Sequence, residues 1–135
     1  YETKEYKSKV EESRRRFFEA QEINLKIDLL PGEKWLNHPT LKTYKVSNLG
    51  RIKIRGEIQR QVDNPNGKLG YLVLEKYPKV LVYRLVADVF LERKTGEYRA
   101  VHHIDNDGYN CGEDNLIMLT KAQHDAIHTN EMEEW

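Results

Sequence analysis

Val101-His102-His103-Ile104-Asp105-Asn106-Asp107-Gly108 opens the stretch on which the reading of this chain turns, and Asp114-Asn115-Leu116 followed by Thr120 to His128 closes it. Four of the five histidines lie here: His102 and His103 side by side, His124 and His128 four apart. Residues four apart on a helix share a face, so His124 and His128 can meet one metal ion. Neighbours on an extended strand point to opposite faces. One of His102 and His103 can therefore join the helix pair on the ion while the other is held close by as a base. Thr120-Lys121-Ala122-Gln123 fits a capping box, with the Thr hydroxyl on a free backbone N–H and Gln123 reaching back to the cap. That starts the helix at Thr120, with Ala122, Ala126 and Ile127 on its inner side. Arg99 to His103 and Leu116 to Leu119 read as the two strands before it, joined by a long polar loop.

Laid out this way, the stretch resembles the HNH endonucleases, the ββα-metal nucleases. Their pattern has a His in a Val-x-His-Ile-Asp context, an Asn-Leu about a dozen residues on, and a Thr-led helix carrying metal ligands. His103, Asn115-Leu116 and Thr120 to His128 fill those places. The resemblance implies that His103 is the general base, that Asn115 orients it, and that His102 and His124 are metal ligands. His128 is then a third ligand or a phosphate contact. It further implies hydrolysis of DNA to a 5′-phosphate and a 3′-hydroxyl, with one divalent metal ion as cofactor. Many relatives carry Asp or Asn where His102 stands, and Asn where His124 stands. More imidazole favours zinc, nickel or manganese without excluding magnesium. Asn106 stands where phage relatives commonly have Gly, a tolerable change in a turn. Asp105 is a candidate ligand, with a cap on the loop as the favoured reading, and Cys111 is read as incidental. The plain alternative for the histidines is a structural zinc, but such sites usually close with four ligands, and only three are found.

Upstream, Leu85, Val86, Val89 and Phe90 recur at helical spacing from Tyr83, and read as core beneath the motif. Arg84 on the same helix is a candidate phosphate clamp or a structural salt bridge. Gly70 to Tyr77, with Tyr71 to Leu74 at its heart, reads as a strand with Lys79 to Val82 as its hairpin partner, and Asp63 to Gly67 as a loop. Further back, Lys45 to Lys53 reads as strand, turn, strand, with Asn48 to Gly50 making the turn. Arg51, Lys53 and Arg55 alternate with Ile52 and Ile54, which puts the cations on one face and suits a ribbon laid along a phosphate backbone. Trp35, Tyr44 and Val46 to Lys53 also resemble a short Trp, then Tyr-x-Val-Ser-Asn-Leu-Gly-Arg-Ile-Lys module that precedes the nuclease domain in phage HNH proteins. His38, beside Pro39, is taken as an ordinary surface residue. Thr3 to about Gln21 has no Gly or Pro. It reads as a charged helix with Tyr6, Val10 and Phe17 on a narrow stripe; Arg14-Arg15-Arg16 either touches DNA or, the favoured reading with Glu11, Glu12 and Glu19 close by, lies on a solvated face.

The expected architecture is α+β: a ββα-metal motif preceded by small antiparallel hairpins and an N-terminal helix. The expected segments are 1–30 for the helix, 31–80 for a β-rich DNA-contacting module and 81–135 for the nuclease motif. A length of 135 residues suits one modest core. The net charge is zero, yet residues 31–100 carry fourteen Lys/Arg against seven acids, and residues 101–135 carry one against eight. A basic middle can track phosphates while an acidic end surrounds a cation. No apolar run is long enough to span a membrane, and no secretory signal is visible. The single cysteine rules out an internal disulfide and fits a reducing interior. With the resemblance, this places the protein in the cytoplasm of a bacterial host cell, as a phage-encoded product. A start at Tyr1 without Met suggests a fragment or a processed chain. DNA is the expected partner. A monomer would nick, whereas double-strand cutting needs a dimer, and the oligomeric state stays open. Two other readings stand beside the nuclease: a DNA-binding module with a degenerate nuclease fold and no cleavage, and a protein-interaction domain.

Overall fold

The computed structural model describes residues 4–65, 71–91, 99–120, 122–123 and 125–126, with residues 4–7 and 99 described by backbone alone. The chain begins with α1 (Lys4–Asn24). Its inner stripe is Val10, Phe17 and Phe18, packed on the core, with Gln21 buried one turn on. The helix runs three residues past the expected end and gives way before Pro31-Gly32. Its arginine run lies among acids: Arg14 Nε is 2.7 Å from Asp63, Arg16 pairs with Glu12 at 2.5 Å, and Arg15 lies 3.8 Å from Glu19.

Four short strands follow as an antiparallel meander: β1 (Trp35–Asn37), β2 (Tyr44–Ser47), β3 (Ile52–Ile54) and β4 (Glu57–Ile58). In this register Val46 lies opposite Ile52, and Lys45 opposite Lys53. The two-residue alternation therefore sorts the hairpin as expected. Val46 and Ile52 are fully buried on one face, and the lysines lie on the other.

A second ribbon pairs β5 (Gln61–Asp63) with β6 (Leu72–Leu74). Here the structure departs from the sequence reading. The partner of β6 is β5, part of which had been assigned to a loop, and Val80 to Val82 does not form a strand. Only Leu81 bridges to Val73, and Val82 already begins α2 (Val82–Phe90). The physical reason is burial at helical spacing. Val82, Leu85 and Val86 stand at i, i+3 and i+4 and all enter the core, and a three-residue apolar run is compatible with either state.

The last unit is β7 (Arg99–His103) paired antiparallel with β8 (Leu116–Thr120), joined through a loop and a single 3-10 turn, Glu113–Asn115. Both halves of the capping box form. Gln123 N donates to Thr120 Oγ1 at 3.2 Å, and Thr120 N donates to Gln123 Oε1 at 3.0 Å. Ala122, Gln123, Asp125 and Ala126 are helical.

One core joins these parts. Val46 and Ile52 from the meander, Leu72 and Leu74 from β6, Val82, Leu85 and Val86 from α2, and Tyr109, Cys111 and Leu116 from the last unit form a single cluster. Each fully buried aliphatic side chain contributes about 1.5–3 kcal/mol, so the meander and the β7–β8 unit are held to a common centre. Among the described residues, no helix is long and apolar enough to cross a membrane.

Candidate active site

The strand β7 divides its two histidines as adjacent residues on a strand must be divided. His102 lies opposite Ile117 and is half-buried; His103 lies opposite Leu116 and turns inward. The His103 imidazole sits between aromatic edges, 5.3 Å from the Tyr83 ring centre and 6.2 Å from that of Tyr71. Its Nε2 faces Cys111 Sγ at 3.9 Å. At 7% exposure, solvent reaches only an edge of the residue. Burial pushes its pKa below the ordinary histidine value, and the neighbouring His102 adds to that. Asp105 and Asp107 oppose the shift without reversing it. His103 is thus neutral near pH 7, the form able to accept a proton.

Asn115 was expected to orient the imidazole. Its side chain instead clamps the loop that follows His103. Nδ2 donates to Asp105 Oδ1 at 2.8 Å and to the Asn110 carbonyl at 2.9 Å, while Oδ1 accepts the Asp105 N–H at 3.2 Å. Its backbone carbonyl takes the Ile104 N–H at 2.7 Å. With both amide hydrogens and the oxygen engaged, Asn115 acts on the end of β7 and not on the ring of His103.

Asp105 caps the loop as read from sequence, accepting the Asp107 N–H at 2.8 Å and Asn110 Nδ2 at 3.1 Å. Burial alone would raise its pKa. The bonds from Asp107, Asn115 and Asn110 outweigh that and hold the carboxyl below the usual range. Asn106, where Gly was the commoner choice, has φ +59°. That is the left-handed region, in which Asn is one of the few tolerated substitutes for Gly.

The cations expected to meet DNA divide sharply. Arg51 is not available, because it is 9% exposed and its five N–H donors make five bonds. Nε and Nη2 fork onto the Glu33 carboxylate, and the remaining donors reach the carbonyls of Asn24, Ile27 and Asp28. Alternation put Arg51 on the face of Lys53 correctly; the loop after α1 then folds over that part of the face. Lys53 stays at the surface with Nζ 4.1 Å from the Trp35 ring centre. Arg55 is exposed, and at φ +53° it sits in the turn after β3, so the strand alternation no longer sets its direction. Arg84 is exposed on α2 with its guanidinium 5.7 Å from the Tyr83 ring centre.

Two further residues were misjudged from sequence. His38 is buried, not superficial: its Nδ1 accepts the Thr40 and Leu41 N–H groups at 3.2 and 3.0 Å, and its Nε2 lies 3.0 Å from Asp88. Cys111 is a core residue backing His103, and burial pushes its thiol up to about 12. A cysteine inside an otherwise polar loop was the only sequence signal of that role.

Of the expected metal ligands, His124 and His128 lie outside the described residues. Among the described residues, no three His, Cys, Asp or Glu side chains gather closely enough to hold an ion. His102, half-buried on β7, carries an imidazole nitrogen, a donor type that the expected metals accept.

Against known proteins, no family model matches the chain, and no curated protein is significantly similar to it. Among solved structures it is similar to the HNH homing endonuclease I-HmuI, seen in a study of DNA binding and cleavage, with a TM-score of 0.56. The fold is HNH-like. The match covers 73% of this chain at 22% identity, and it spans 59% of that protein's length. The order of helix, hairpins, α2 and terminal β7–β8 unit is that of an α+β fold.

Proposed function

We propose that the protein is a metal-dependent DNA endonuclease of HNH type, hydrolysing phosphodiester bonds with His103 as the base. The observation that carries this reading is a juxtaposition around one ring. Tyr83 has the neutral His103 imidazole against it at 5.3 Å and the Arg84 guanidinium at 5.7 Å. An imidazole able to accept a proton and a cation able to bind phosphate thus contact the same tyrosine ring.

In this mechanism the His103 Nε2 is turned toward Cys111, so Nδ1 takes the proton from water lined up with the phosphate. Asn115 holds the end of β7 so that the ring keeps its aim. Arg84 grips the phosphate beside the reacting one, and Lys53 and Arg55 follow the strand further along. His102, with His124 and His128, would hold one divalent ion (Mg, Mn, Zn or Ni), which supplies positive charge to the phosphate oxygens when bound.

The test is a supercoiled-plasmid assay in each of the four metals, with wild type beside His103→Ala. The variant is expected to lose roughly 100- to 10,000-fold in turnover, the range for a lost general base, while still shifting DNA on a gel. The narrow exposure of His103 favours one alternative, a DNA-binding module that does not cut. Wild type that shifts the plasmid and leaves it intact in all four metals would establish that alternative.

A further inference from the structure

We infer that the Ser47–Arg51 turn serves as the buttress that positions the loop behind His103. This rests on the reading of His103 as the base and adds residues with no part in DNA contact. The turn's own polar groups are tied to the chain just before the meander and to the turn itself. Ser47 Oγ donates to Glu33 at 2.7 Å and accepts the Leu49 N–H at 2.9 Å. The Asn48 side chain accepts the Lys34 N–H at 2.6 Å and donates to the Gly32 carbonyl at 3.1 Å. A turn fixed on that many sides is a rigid abutment.

It abuts the loop directly. The Asn48 carbonyl accepts the Glu113 N–H at 2.7 Å. Gly50 lies so close that a Cβ built on it would stand 3.2 Å from the backbone carbon, the oxygen and the Cβ of Cys111. Cys111 Sγ in turn lies 3.3 Å from the Gly108 carbonyl and 3.9 Å from His103 Nε2. The Gly112 carbonyl takes the Asn115 N–H at 3.0 Å, and Asn115 clamps Asp105. The turn therefore bears on the imidazole through Cys111, and through Asn115 on the end of the strand that carries it. Asn48 and Gly50 are positioning residues for the reaction.

A matched pair of glycines separates this from a general loss of stability. Gly50 and Gly56 both have left-handed φ, +91° and +81°, so an alanine at either carries a similar backbone strain. Only at Gly50 does the new methyl meet the loop; at Gly56 nothing lies within 4 Å. The backbone of Cys111 must then give by a few tenths of an ångström. A 1 Å misplacement can cost about 100-fold, so roughly a 10-fold fall in kcat is expected for Gly50→Ala.

Three readouts are taken on the folded proteins well below their melting temperatures: kcat and KM on plasmid, the His103 ring resonances by NMR, and the alkylation rate of Cys111. The inference is supported if Gly50→Ala lowers kcat with KM within about twofold, shifts the ring resonances and speeds alkylation, while Gly56→Ala does none of these. It is overturned if the two variants behave alike, or if the His103 resonances stay in place in Gly50→Ala. Should Gly50→Ala fail to fold, Asn48→Ala takes its place. It removes the two side-chain tethers without adding an atom, and it must move the same resonances for the inference to stand. If wild type does not cleave DNA, the nuclease reading alone falls, because the resonances and the thiol still decide whether the turn sets the loop.

Discussion

Replacing Arg51 by Ala removes a guanidinium whose five donors are all in use, two of them on a carboxylate that is itself fully buried. What remains is a Glu33 carboxylate holding only the Ser47 hydroxyl and the Leu30 N–H. The carbonyls of Ile27 and Asp28 lose the guanidinium as well, while that of Asn24 keeps the Ile27 N–H at 3.1 Å. Breaking a buried ion pair from one side costs about 3–5 kcal/mol, against a total stability of about 5–15 kcal/mol for a domain. For a chain of this size, that corresponds to a fall in Tm of roughly 10–20 °C. Lys53→Ala is the contrast. It loses a surface cation over Trp35, worth about 0.5–1 kcal/mol, and should melt within a few degrees of wild type. The two variants melted side by side by circular dichroism give the stability comparison, and gel shifts at low temperature give the DNA comparison. Lys53→Ala is expected to weaken DNA binding, whereas Arg51→Ala leaves it unchanged while folded. An Arg51→Ala protein melting within about 3 °C of wild type, or one that stays folded and loses DNA, would refute the buried-pair account.

The same carboxylate predicts a pH dependence. Burial alone would raise the Glu33 pKa, but the bonds from Arg51, Ser47 and Leu30 hold it below the ordinary value. A depressed carboxylate contributes stability that is present above the unfolded value, about 4.3, and is lost as pH falls through the folded one. Urea unfolding from pH 7 to pH 3 should therefore show wild type weakening below about pH 4 and Glu33→Gln weakening less over that window; parallel curves would contradict this. At the capping box, Thr120→Ala and Gln123→Ala should each lower the urea midpoint, the first by the equivalent of about 0.5–2 kcal/mol. The double variant should lose less than the sum, and unchanged midpoints would show that the box does not hold in solution.

What was legible in the sequence was local and periodic. Period-two alternation placed Ile52 and Lys53 on opposite faces, helical spacing found the start of α2 to within a residue, and the Thr-x-x-Gln spacing located a cap with both its bonds. The divided pair on β7 followed from strand geometry alone. What stayed hidden was long-range. Nothing near Arg51 says that the loop carrying Glu33 will fold across it, because alternation assigns a face but not its cover. His38 beside Pro39 looks like a surface residue until Asp88, fifty positions on, is brought within 3.0 Å. Asn115 has the spacing of an orienting residue, yet only the loop's path shows that its amide is spent on Asp105 and Asn110. The strand β5 was hidden because its partner lies across a turn-rich stretch, and its register comes from Leu72 to Leu74.

Gln21 bears on the outer edge of β5. Its carboxamide accepts the Gln61 N–H at 2.8 Å and donates to the Gln61 carbonyl at 3.0 Å, matching the backbone of β5 as another strand would. A ribbon of two strands has outer edges that can recruit a stranger's backbone, and here one side chain from α1 plugs such an opening. The N-terminal helix thus doubles as a guard: trimming it would bare one rung of the ladder, and size-exclusion chromatography of the shortened chain is expected to show self-association.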